Sequence, residues 1–337
     1  MFEGNLKLGG GPVESLAFSP SGSLLAVGHH RGGGCSKKAP PALSLVELSK
    51  SKPKPKPLCL VTTFDEDLVS SPGGWIGMVT HVEFVSDAEL LLCFDGNDAR
   101  TITLDGRKGL PVGPKAPYTE YYDLHGALAV LGGFYFWAKQ SHDHALFALR
   151  QREGKRDQVL VSSNEQLDTR RVLPLSVDEV LVHAPDARRL MVASFASASA
   201  RPYGDVEIGV TTRMSRGGDR VLVHHIGAQG QTLSVLFEAD GRVRSQHGSA
   251  TAISADGRYL AEGIRKPGTE SYSFMKPEHR GWVRVTDIGS EKVVFEERVS
   301  EDYEVGTLAF SGSDSTLLGL ASKSTSDIRV HRWAGPS

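Results

Sequence analysis

The chain has 337 residues, 39% hydrophobic and 23% charged, with a formal net charge of -2. That balance excludes a global basic footprint for nucleic acid, and no run of about 18 apolar residues offers a membrane-spanning helix. The three cysteines (Cys35, Cys59, Cys93) form no Cys-x-x-Cys pair, and MFEGNLKLGGGPV carries no basic region followed by an apolar core, so a reducing, cytoplasmic setting is expected.

From the N-terminus, Val13–Phe18 and Leu24–Val27 read as two short strands around the turn Ser19-Pro20-Ser21-Gly22. The same hairpin pattern recurs in VTHVEFVSDAELLLCF from Val79, YYDLHGALAVLGG from Tyr121, EVLVHAPDARRLMVAS from Glu179, ATAISADGRYLAEG from Ala250 and EVGTLAFSGSDSTLLGLASK from Glu304. Each hairpin is followed by a further alternating segment: Leu43–Glu47, Thr101–Asp105, Leu146–Arg150, Val221–His225, Val283–Asp287 and Ile328–Arg332. A turn and a fourth strand follow several of these, as in DIGSEKVVFEERV from Asp287. Phe18, Ile253 and Phe310 each precede a serine-initiated turn and are expected to be buried equivalents.

Four short antiparallel strands cannot cover both faces of their own sheet, whereas sheets stacked radially cover one another. The expected fold is therefore all-β, a single closed propeller over residues 1–337 with about six four-stranded blades and its termini close together. A seventh blade is left open by DVEIGVTTRM (Asp205–Met214), which would join DRVLVHHI and TLSVLFEADGRV in a degenerate repeat. Insertions are placed at 29–41, 50–57, 65–78, 196–218 and 263–281; those at 29–41, 196–218 and 263–281 are assigned between third and fourth strands.

GPVESLAFSPSGSLLAVG and GWVRVTDIGSEKVV resemble the WD-repeat family, the first its inner hairpin and the second its outer strand and following turn. The resemblance is strongest in the first and last two repeats and faint from about Leu110 to Gly248. Val46-Glu47, Thr286-Asp287 and His331-Arg332 stand where the family has Trp-Asp, and no clear Gly-His precedes the hairpins. The resemblance implies an interaction scaffold without chemistry of its own.

The chain contains no G-x-S-x-G, G-x-x-x-x-G-K-[ST], G-x-G-x-x-G or H-E-x-x-H motif, and no cofactor or metal is expected. Asp95-Gly96-Asn97-Asp98 clusters oxygen ligands but reads as a hairpin turn. His29-His30 and His142-Asp143-His144 are read as polar loop residues too far apart to share an ion, and His224-His225 as consecutive strand residues facing opposite ways. The tract Lys50, Lys52, Lys54 and Lys56, alternating with serine and prolines, reads first as a stiff solvated connector and second as a docking patch for an acidic partner. No aromatic residue interleaves the lysines, which argues against sequence-specific nucleic-acid binding. The run Phe134-Tyr135-Phe136-Trp137 reads first as a buried strand and second as an aromatic anchor.

These features together predict a protein partner held by a loop-decorated face, with Arg201, Tyr203, Tyr272, Phe274 and Trp282 as anchors, residue types enriched at interface cores. The competing expectations are a propeller hydrolase or lyase with a site at a central channel, and a structural subunit of a larger complex.

Overall fold

The computed structural model describes residues 4–8, 13–29, 43–50, 52–58, 79–94, 99–104, 112–115, 129–140, 143–152, 155–163, 172–184, 187–247, 251–264, 281–298, 305–311, 317–322 and 327–332. Among them there is no helix, and the strands form seven four-stranded antiparallel sheets. The chain divides into two compact units, one of residues 1–95, 102–113 and 248–337, the other of residues 96–101 and 114–247.

In the first unit, β1 (Gly4–Lys7) stands apart in sequence from its sheet. One sheet is β2 (Val13–Phe18), β3 (Leu24–His29), β4 (Leu43–Glu47) and β5 (Lys56–Leu58). The next is β6 (Val79–Ser86), β7 (Glu89–Phe94), β8 (Ala99–Thr103) and β9 (Val112–Lys115), its last two strands crossing the unit boundary. The second unit holds β10 (Ala129–Leu131), β11 (Phe134–Gln140), β12 (Leu146–Arg152) and β13 (Lys155–Ser162) in one sheet. A second contains β14 (Val172–Pro174), β15 (Glu179–Ala184), β16 (Arg189–Ser194) and β17 (Ser199–Pro202), and a third β18 (Val210–Gly217), β19 (Arg220–Ile226), β20 (Thr232–Phe237) and β21 (Val243–His247). The chain then returns to the first unit with β22 (Thr251–Ile253), β23 (Tyr259–Ile264), β24 (Trp282–Asp287) and β25 (Lys292–Arg298), followed by β26 (Val305–Phe310), β27 (Leu317–Ser322) and β28 (Asp327–Arg332).

β1 pairs with β28, from Gly4 opposite Val330 to Lys7 opposite Asp327, so the N-terminal strand completes the C-terminal sheet and the two ends of the chain meet there. The seventh sheet is the one the sequence left open, although Val210–Gly217 is its first strand rather than an outer one.

Repetition is visible in the backbone. Phe18 pairs with Leu25, Ile253 with Leu260 and Phe310 with Leu318, in each case the last residue of a first strand against the second residue of the next. Phe18 and Ile253 are 8% exposed, while Phe310 is half-buried and packs against the neighbouring core. The Ser19 and Ser254 turns close alike: Ser19 N–H donates to the Leu24 carbonyl and Ser254 N–H to that of Tyr259. Gly22 (φ 68°) and Gly257 (φ 73°) take the left-handed position that such turns require. A register shift near the start of the first strand recurs in four sheets, at Val13/Ser15, Val79/His81, Thr211/Arg213 and Val305/Thr307.

Each core lies between successive sheets, as the alternation of apolar residues demands. In the first unit Leu16, Leu25 and Val27 pack with Ala309, Ile328 and Val330, and Ala26 and Leu43 pack with Val82, Leu90 and Leu92. In the second, Phe136, Ala138 and Val159 meet Val180 and Val182, while Leu190 and Val192 meet Met214, Val223 and Phe237.

The last strand of each sheet bears a free edge, and all seven of these strands carry Lys or Arg: Lys7, Lys56, Lys115, Lys155, Arg201, Arg244 and Lys292 are examples. β5, β9 and β17 also contain Pro57, Pro114 and Pro202, and the pairings of β13, β21 and β25 are broken by register shifts. Cations, prolines and bulges are the devices that keep sheet edges from pairing with other chains.

Four readings change in this frame. The hairpins beginning at residues 12, 79, 250 and 304 supply first and second strands, because their sheets start there, so 30–42 and 265–280 link second to third strands rather than third to fourth. The Glu179–Ser194 hairpin is instead β15 and β16, preceded by the short β14. Residues 196–218 are not a loop insertion, since β17 and β18 both lie within them. The turn between β10 and β11 is Gly132-Gly133 (φ 58° and 77°), whereas the expected turn near His125 lies outside the described residues, as do 30–42 and 65–78.

Candidate interaction surface

In an antiparallel meander the link from second to third strand and the link onward to the next sheet leave from the same end. Residues 30–42, 59–78, 116–128, 163–171 and 265–280 all belong to those two kinds of link. The other end of each sheet is closed more tightly, by two residues at Gly132-Gly133 and at Gly218-Asp219, and by no connection longer than 48–55 or 104–111. Long connections thus gather at the corresponding end of their sheets.

The expected anchors fare differently. Arg201 projects from β17 with its side chain 62% exposed, 3.7 Å from Glu179 across the sheet. Tyr203, two residues on, turns inward: it is 5% exposed, its ring centroid is 5.6 Å from that of Phe237, and its hydroxyl donates to the Glu238 carbonyl at 2.9 Å. Burial pushes the phenol up to about 12. Tyr203 is therefore a core residue, not a surface anchor. Trp282 opens β24 half-buried, opposite Ile264 and Arg298. Tyr272 and Phe274 lie outside the described residues.

The lysine tract is more than a connector, because its end is β5 itself. Lys52 and Lys54 are exposed while Pro53 is buried and Pro55 half-buried, so the alternation sends cations to solvent and rings inward. Lys50 pairs with Glu47, and Lys56 opens the edge strand opposite Leu45.

Of the aromatic run, Phe136 and Trp137 are buried, at 0% and 2% exposure, and Phe134 and Tyr135 half-buried, which favours the strand reading. Phe134 belongs to a structure the sequence did not reveal. The Arg150 guanidinium lies 4.9 Å from its ring centroid and 4.7 Å from that of Phe195, with Arg152 5.2 Å from the Phe134 ring. Arg150 also donates to Asp157 at 2.6 and 3.0 Å, to Asp178 at 2.6 Å and to the Val177 carbonyl at 2.6 Å, tying the β10–β13 sheet to the β14–β15 turn. Arg150→Ala should lower unfolding stability by about 2 kcal/mol, since two cation–π contacts and four charge-assisted hydrogen bonds go together. Urea denaturation measures this, and an unchanged midpoint would mean the ladder contributes nothing.

Four of the described histidines, His29, His183, His224 and His225, are buried. His29 is the last residue of β3, fully buried, with Nε2 2.9 Å from Ser44 Oγ, so it is not the loop residue expected; His30 and His142 lie outside the described residues. His224 repeats the device, Nδ1 to Ser234 Oγ at 2.9 Å, and burial pushes it down to about 3. His183 is lowered to about 4, chiefly by burial. Among the described residues no group of three or more His, Cys, Asp or Glu side chains is gathered as for a metal ion. Asp287, where the family resemblance has an Asp, caps its turn: Oδ1 accepts from Ser290 N–H (2.9 Å) and Oγ (3.1 Å), and Oδ2 from Arg258 (2.9 Å). Its carboxyl is held below the usual range, first by the Ser290 backbone bond and then by Arg258.

No family model matches the chain, and no curated protein matches it. Solved structures do. The Dos1 propeller is similar over 97% of this chain and 94% of its own, with a TM-score of 0.59 at 12% identity. The fold is that of a β-propeller. The computationally designed Ika8 protein matches over 98% of this chain and 99% of its own (TM-score 0.53, 12% identity). Raptor from Chaetomium thermophilum gives a TM-score of 0.64 at 11% identity; 98% of this chain is covered but only 29% of that one, so the propeller corresponds to a part of Raptor. At such identities the likeness establishes fold alone. In the propeller, no helix among the described residues is long and apolar enough to cross a membrane.

Proposed function

We propose that this propeller is a protein–protein interaction scaffold of the WD-repeat kind, non-enzymatic and cytoplasmic, whose seven sheets close into one ring of blades. The observation that carries the reading is the gathering of the long connections 30–42, 59–78, 116–128, 163–171 and 265–280 at the corresponding end of their sheets. Rigid elements carrying variable connections are how folds of this type present binding residues. Two further features agree with it. The edges are armoured against strand addition, which favours recognition by connections and faces. His29, His183, His224 and His225 serve serine and backbone groups within the sheets. Arg201 is kept as an exposed anchor, and Tyr272 and Phe274 of the 265–280 connection are assigned to the same role together with the half-buried Trp282 that opens β24.

The test replaces 30–42 and 265–280 with short Gly-Ser links and compares partners recovered from native lysate by quantitative mass spectrometry. A folded double replacement should lose the specific partner recovered with the wild type. Undiminished recovery would move the binding surface elsewhere, first to the lysine tract at Lys50–Lys56.

A further inference from the structure

Within the second unit the chain passes from β17 to β18 through Tyr203–Gly209, and this short segment is held by two buried imidazoles. Tyr203 N–H donates to the Leu190 carbonyl at 2.8 Å, and Ile208 N–H to the Arg188 carbonyl at 2.8 Å. The Ile208 carbonyl lies 3.4 Å from His183 Nε2, and the Gly209 N–H donates to His225 Nδ1 at 3.1 Å. Gly209 is pressed onto β19 so closely that a Cβ there would lie 1.9 Å from the Ile226 carbonyl oxygen. His183 is 1% exposed and His225 6%.

The two imidazoles answer a proton differently. A nitrogen that accepts from Gly209 must have its lone pair, so His225 is neutral with its hydrogen on Nε2. Protonation places a hydrogen on Nδ1, directly against the Gly209 N–H, and turns an attraction into a repulsion. His183 can keep donating from Nε2 when charged, but its buried Nδ1, which has no partner, would then hold an unsatisfied donor. The titratable groups coupled to His225 are His183 from β15 and His224 on its own strand, with Arg213 from β18 beside His224; burial opposes a positive charge on His225, and the Ile226 carbonyl favours one. Within the segment, the Glu207 side chain is 79% exposed and pairs with Arg188 at 3.7 Å.

We propose that Tyr203–Gly209 is a proton-operated strap, in which protonation of His225 releases Gly209 from β19 while the sheets on either side stay folded. Burial lowers His225 below the ordinary imidazole value of 6.5, so the release belongs to mildly acidic conditions. A strap that opens without global unfolding would let acidity alter one connection of the propeller and leave the others in place.

The test is amide hydrogen exchange by NMR on the full chain as the pH falls from neutral, with intrinsic exchange rates divided out and circular dichroism showing an intact fold. As the pH falls from about 6.5 toward the lowered His225 value of the closed strap, protection at Gly209 should fall by up to about tenfold per pH unit and then level off, while Val223 in β19 keeps its protection. In His225→Asn, Oδ1 can accept the same N–H and does not titrate, so Gly209 should stay protected at every pH. The strap is overturned if Gly209 protection in the wild type is independent of pH, if it falls in step with Val223, or if it falls equally in His225→Asn. The wild-type comparison stands even if that variant does not fold.

Discussion

Lowering the pH from 7 to 5 is expected to cost the fold about 4 kcal/mol of unfolding free energy, most of it through His183 and His224. Both imidazoles are lowered in the folded state, to about 4 and about 3, chiefly by burial. Their unfolded pKa is near 6.5, so below that value the unfolded chain binds protons that the folded chain refuses, and stability falls with pH. At pH 5 each refused proton is worth about 2 kcal/mol, because one and a half pH units separate the solution from 6.5 at about 1.4 kcal/mol per unit. The loss continues until the pH passes the folded values. Lowered carboxyls such as Asp287 act in a different window: their stabilisation is complete above the unfolded value near 4 and fades as the pH falls through the folded one. Urea midpoints between pH 6.5 and 5 therefore isolate the histidines. A flat profile across that interval would show that neither imidazole is held neutral by the fold.

Phe237→Ala should destabilise the protein by about 3–5 kcal/mol, the range for truncating a fully buried aromatic side chain. Phe237 ends β20 with no exposure, opposite Val221 and Val243, in a core with Leu190, Ile208 and Met214. Its ring supports Tyr203, and a Cβ at Gly204 would come within 3.2 Å of its Cε1, so little can collapse into the space left behind. Arg201→Ala on the surface of β17 should change stability by no more than about 0.5 kcal/mol, as exposed substitutions do. Thermal or urea unfolding of the pair separates core from surface on one short stretch of chain. Loss of less than about 1 kcal/mol in Phe237→Ala would contradict the packing of β20 against Tyr203.

The sequence by itself determined the period-two strands and the turns between them. Phe18, Ile253 and Phe310 precede turns whose glycines and serines are local requirements, and their pairings with Leu25, Leu260 and Leu318 follow from turn length. It also kept Lys52 and Lys54 in solvent and Phe136 and Trp137 inside. Strand numbering was not legible, because the three-residue β14 gives no alternation to read, and without it Glu179–Ser194 looks like a first hairpin. Nor was the pairing of β1 with β28, which unites residues from opposite ends of the chain. Tyr203 and His29 show the same boundary at the scale of one side chain. An aromatic among Arg201, Pro202 and Gly204 reads as a surface anchor, and a histidine before a glycine-rich stretch reads as a loop residue. Only tertiary structure supplied Phe237 and the Glu238 carbonyl for one and Ser44 for the other. Whether a polar-tipped ring faces water or core depends on a partner brought from elsewhere in the chain, and local pattern carries no record of that partner.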